Sequence, residues 1–147
     1  MNDNIKNFLK HFFFSLGVAF LLMEMQMLLE SNYITNFLKQ SLVTILIALL
    51  AINCTTLGIV LTKIRELIDS SKEYRAFDKT KKEMLLSIKE QIVLIGISLV
   101  LLLIQDSKWL QLHLCFVNLV QMLIMTCFVY GIMILYDTAK SVFVILE

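Results

Sequence analysis

The chain has 147 residues, no proline, four glycines and a formal net charge of only +1. It is 59% hydrophobic, with a mean hydropathy of +0.80, where a soluble domain is about 45–50% apolar. This composition excludes an ordinary water-soluble fold and a nucleic-acid binder with a concentrated basic face, and it leaves room for a single domain over 1–147.

Four apolar stretches organise the chain, at 11–29, 41–62, 91–105 and 110–136. A spanning helix needs about 20 predominantly apolar residues. The fold class expected is therefore all-α and polytopic, with four transmembrane helices. The first stretch is too long for the apolar region of a secretion signal and no small-x-small cleavage site follows it, so it is read as a retained span. Because proline and glycine are the usual breakers, their scarcity predicts long, unbroken helices joined by short turns, with spans 1–2 and 3–4 paired as tight hairpins.

Lys and Arg set orientation. Eleven of them fall on one predicted face, in the N-terminal tail, the middle loop and the C-terminal tail; only Lys39 and Lys108 fall on the other. Both termini are thus expected in the cytoplasm, with Tyr33 and Trp109 as aromatic anchors at the outer interface.

The middle segment, 63–89, is expected to extend helices 2 and 3 into the cytoplasm as a helical hairpin. Apolar residues recur there at helical spacing, including Ile64, Leu67 and Ile68, then Leu85 and Ile88. The turn is expected near Ala76–Phe77–Asp78, with Thr80-x-x-Glu83 as a capping box opening the next helix. Eight basic residues are offset by five acidic ones and by Glu90 immediately after, which suits a solvated surface more than a nucleic-acid interface. Leu67, Arg75, Phe77, Lys82 and Met84 are the residues expected to dock a soluble cytoplasmic protein; mutual packing of the two arms is the plainer reading. The apolar run Val142–Leu146 lies beyond the fourth span, and is expected along the inner interface or against a neighbour.

Polar groups inside the spans are few. Glu24, Asn53, Asn118 and Gln121 form the expected intramembrane polar cluster. Glu24 is taken to lie at a depth similar to Asn118 and Gln121, which share a helix face. Such groups act as interhelical hydrogen-bonding glue or line a path for an ion, with glue the commoner role. Cys54, Cys115 and Cys127 show no C-x-x-C pairing, and His11 and His113 have no second ligand at helical spacing. No metal site, cofactor or catalytic constellation is read. The methionines, such as Met23, Met125 and Met133, are read as packing residues.

In outline, the chain resembles the four-span inner-membrane components of bacterial anti-phage defence systems, of the Kiwa membrane-subunit type. It is also similar to four-span immunity proteins against pore-forming bacteriocins and contact-delivered toxins. The resemblance is architectural, spans the whole chain, and transfers no individual residues. It implies a non-enzymatic protein of the bacterial inner membrane, a homo-oligomer in the lipid bilayer. On the first resemblance it is a sensor or effector scaffold with a soluble partner on the 63–89 hairpin. On the second it confers immunity within the bilayer, and a small ion-conducting pore is the third possibility. Small multidrug transporters share the four spans and a glutamate in the first; the absence of proline and the long middle hairpin separate this chain from them.

Overall fold

With no proline and no clustered glycine, little in the sequence interrupts a helix once it has started. A computed structural model describes residues 3–70, 74–107 and 114–146, and they form four helices. These are α1 (Asp3–Leu28), α2 (Tyr33–Ser70), α3 (Tyr74–Gln105) and α4 (Leu114–Leu146). Each contains a stretch long and apolar enough to cross a membrane: Phe8–Leu28, Tyr33–Lys63, Met84–Gln105 and Phe116–Lys140. The protein is an all-α, four-helix transmembrane bundle, and no strand occurs among the described residues.

The helices alternate in direction. Lys39 of α2 meets Asp106, the residue just after α3, at one end of the bundle. His11 of α1 meets Asp137 of α4 towards the other. We call the first the turn end, because it holds the α1–α2 turn, and the second the terminal end.

α4 is the centre. It packs on all three other helices, and α2 and α3 also pack on each other. Of its spanning stretch 44% is buried, against 11–17% in the other three. The reason is the spacing of its inward residues. Val120, Ile124, Cys127, Gly131, Ile134 and Thr138 are buried and alternate steps of four and three, which keeps one seam facing inward. α2 contributes Leu38, Leu42 and Leu46, and α3 contributes Leu94; with Ala19 of α1 they make one core. Gly131 makes room for core leucine side chains: a Cβ there would lie 2.6 Å from Leu46 Cδ2 and 3.6 Å from Leu94 Cδ2. At Gly17, Gly58 and Gly96 a Cβ would meet nothing within 4 Å. The outward faces carry Phe13, Phe20, Leu21, Ile59 and Leu103, as expected where the surrounding solvent is lipid.

Several expectations are corrected. α1 and α2 share a short turn but do not form a packed pair; α1 rests chiefly on α4. The turn is closed by a Schellman arrangement, in which Ser31 N–H donates to Gln26 C=O and Glu30 N–H to Met27 C=O. Glu30 takes the left-handed conformation there, with φ 49°. The Gln26 side chain clasps the same turn: its Nε2 donates to Ser31 C=O and its Oε1 accepts from Thr35.

Ala76–Asp78, where the turn is expected, is helical and belongs to α3, and residues 71–73 lie outside the described residues. Thr80 therefore lies inside α3 and opens no helix. Nothing in Ala76–Phe77–Asp78 forbids helix, since none of the three is a proline or glycine. The third spanning stretch begins at Met84, seven residues before the expected start at 91, so Lys89 and Glu90 belong to it. α4 runs unbroken through Asp137–Lys140 to Leu146. At 33 residues it is about 50 Å long, more than a ~30 Å hydrocarbon core requires.

Candidate functional site

The seam that α3 turns inward is unlike the rest of the bundle. Met84, Ser87, Gln91, Leu94 and Ser98 recur at steps of three and four, and all but the half-buried Ser87 are buried. A helix with this pattern brings polar groups into an apolar core, where each needs a partner. Gln91 finds Asn53 on α2: Asn53 Nδ2 donates to Gln91 Oε1 at 2.6 Å, with the two residues 1% and 0% exposed. Asn53 Oδ1 and Gln91 Nε2 are buried with no hydrogen-bond partner. One turn nearer the terminal end, Ser87 and Thr138 share a hydrogen bond at 3.1 Å. On the adjoining face Tyr130 donates to Glu90 across a long 3.5 Å contact. His11 Nδ1 lies 3.4 Å from Asp137 Oδ2.

These four contacts tie α2 to α3, α3 to α4 twice, and α1 to α4. They form a polar girdle in the terminal-end half of the bundle. α2, α3 and α4 are joined by hydrogen bonds with directional demands, which fix register as well as proximity, while α1 is tied by the His11–Asp137 approach alone. Aromatic packing continues the girdle, with the Phe8 ring edge-on to Tyr130 at 5.8 Å.

Beside the girdle lies a cavity of about 360 Å³ between α1, α3 and α4. It exists because α1 and α3 both lean on α4 without closing on each other. Its wall is almost wholly apolar, from Phe8 and Phe12 on α1 to Leu101 on α3 and Leu123 on α4. Among the described residues no group of three His, Cys, Asp or Glu side chains is placed to hold a metal ion.

The predicted site residues are placed as follows. Asn53 is in the girdle, through a partner, Gln91, outside the predicted set. Glu24 and Asn118 are exposed on the outer surface of the bundle, and Gln121 is half-buried. Thr55 and Thr56 donate to carbonyls four residues back in their own helix. Tyr33 is exposed at the start of α2, stacked on Phe37. Lys82 is exposed, while Met84 is buried within the bundle. Trp109 lies outside the described residues, as do the side chains of Leu67, Arg75 and Phe77. Cys127 is buried and Cys54 exposed.

Sequence reasoning missed Glu90, Gln91 and the His11–Asp137 contact. The three-four spacing of Ser87, Gln91, Leu94 and Ser98 was the signal for the α3 seam. It was masked by opening the span at 91 and assigning Glu90 to the solvated loop. The chain matches no protein-family model, no curated protein and no solved structure.

Proposed function

We propose that the chain is a non-enzymatic scaffold of the bacterial inner membrane, a homo-oligomeric sensor or effector of a phage-defence system. In this reading both termini and the α2–α3 connection lie in the cytoplasm, as the lopsided distribution of Lys and Arg favours. A soluble partner docks on the two helical arms. The observation that carries the reading is the length of those arms. α2 continues from Lys63, the end of its spanning stretch, to Ser70, and α3 starts at Tyr74, well before Met84. At 1.5 Å per residue they extend roughly 10 and 15 Å past the spans. Arg65 and Lys82 are exposed on them.

A phage-plating assay in the native operon tests this. Arg65→Glu with Lys82→Glu, or Arg75→Glu in the same stretch, abolishes protection while the protein remains in the membrane at wild-type level. Unchanged protection with every arm charge reversed defeats the docking reading. A host equally phage-sensitive with and without the gene defeats the defence reading.

A second reading rests on a different observation: Glu24 and Asn118 are both exposed on spanning helices. Polar groups on a lipid-facing surface suit a partner within the bilayer, such as the helix of a pore-forming toxin. Here Asn118→Leu abolishes protection against the toxin and the arm charges are dispensable. A pore in its own right instead requires depolarisation on expression that Glu24→Gln alters.

A further inference from the structure

We infer that His11, Glu90, Tyr130 and Asp137 form a proton-binding site, at which Glu90 takes up a proton delivered from the terminal end through His11 and Asp137. The site rests on none of the functional readings above. All four residues belong to spanning stretches, and an ionised group inside a bilayer is costly unless it is paired or neutralised. Glu90 is not paired with a cation. Its hydrogen bond comes from the Tyr130 phenol at 3.5 Å, and neither ion pair among the described residues includes it. Lys89 follows it on the chain's exposed side, with a stem long enough to carry the ammonium towards water. Glu90 also lines the cleft between α1, α3 and α4, whose wall is almost wholly apolar. A proton neutralises it there and needs no space of its own.

Depth supplies the route. Glu90 lies six residues, about 9 Å, inside its span from Met84. His11 and Asp137 lie three residues, about 5 Å, inside theirs from Phe8 and Lys140. They are therefore nearer the terminal-side water, and their side chains are 24% and 47% exposed. Both are close enough for their charges to act on Glu90. His11 Nδ1 is buried without a hydrogen bond, 3.4 Å from Asp137 Oδ2. Two lone pairs face each other there unless a proton lies between them, and imidazole is the side chain suited to shuttling one. The other titratable groups nearby are Cys127, on the wall of the cleft, and Lys10, Lys63 and Lys140, all three exposed towards the terminal end. Uptake turns the Glu90 carboxylate into a carboxylic acid, which keeps a carbonyl oxygen for the Tyr130 O–H. Release returns the proton to the terminal-side water by the same groups.

The test is infrared difference spectroscopy of the full chain in liposomes between roughly pH 8 and pH 5, where solvated carboxylates stay largely ionised. Wild type is expected to gain a carboxylic-acid carbonyl band as the pH falls and to lose it on return. Glu90→Gln, whose amide oxygen still accepts from Tyr130, is expected to lack that band at unchanged helicity. Isotope labelling of glutamate shifts the band in the unmutated chain, so its assignment does not depend on how the variant folds. Glu24→Gln, at an exposed acid near the turn end, leaves the band as in wild type. His11→Asn displaces the midpoint at which the band appears by roughly one pH unit or more. No band in wild type, a band that persists in Glu90→Gln, or one unmoved by glutamate labelling overturns the site. Equal loss in Glu24→Gln does the same. A midpoint unmoved in His11→Asn overturns the route through His11.

Discussion

Asn53 and Gln91 show what a single polar pair does where water is absent. Replacing Gln91 by Leu leaves the Asn53 amide buried without a partner, which costs about 1–3 kcal/mol. Replacing both by Leu removes the need along with the bond and is expected to be close to neutral. A double-mutant cycle in SDS titrations should return a coupling of roughly 0.6–2 kcal/mol; a value of zero means the pair is not formed. Gly131 makes the opposite demand, for absence of bulk. Gly131→Val drives a side chain into Leu46, which is fully buried, and should cost about 1–3 kcal/mol by overpacking. Gly131→Ala should fall at the low end, because the atom met first is the tip of the Leu46 side chain. Glu30 stands in the left-handed position that glycine usually fills at a helix C-terminus. Glu30→Gly removes a conformational penalty of about 1 kcal/mol and is expected to raise the SDS unfolding midpoint. No rise would mean that the turn relaxes another way.

Among the elements, α1 is the most weakly held, since it packs chiefly on α4. Its contact is secured by Ala19 in the core, the His11–Asp137 approach and the ring of Phe8 on Tyr130. His11→Cys with Asp137→Cys, in a chain freed of its native cysteines, should cross-link on mild oxidation. Adding Ala19→Phe should suppress the cross-link by levering α1 away; an undiminished yield counts against Ala19 as the point of closest packing. The helices themselves were legible from sequence, because twenty-residue apolar runs without proline have few alternatives in lipid. So was the continuity of α2 beyond its span, from the spacing of Ile64, Leu67 and Ile68. Which helix occupies the centre was not legible. All four stretches are apolar all round, so hydropathy alone does not distinguish the inward seam from the lipid face. The polar residues offered a guide only when read by spacing. Glu24 drew attention as an acid in an apolar run, yet it is exposed, while Gln91, beside two charged residues, is fully buried.

At the scale of the molecule, the alternating helices put the α2–α3 connection on the same side of the membrane as both chain termini. Fusions of alkaline phosphatase after Glu147 and within 71–73 should therefore behave alike, and opposite to a fusion in the α1–α2 turn near Ser31. Inactivity of the first two places that side in the cytoplasm; activity reverses the proposed threading. The central position of α4 also has a consequence for biogenesis. A ribosome releases α1 into the membrane long before α4 exists, and α1 has no other substantial neighbour to settle against. It must wait at the insertion machinery, or drift in lipid, while nearly the whole chain is made. Assembly then depends on contacts between segments far apart in sequence, the kind that form slowly. A premature stop before α4 would leave α2 and α3 with only each other and α1 with no substantial neighbour, exposed to membrane quality control.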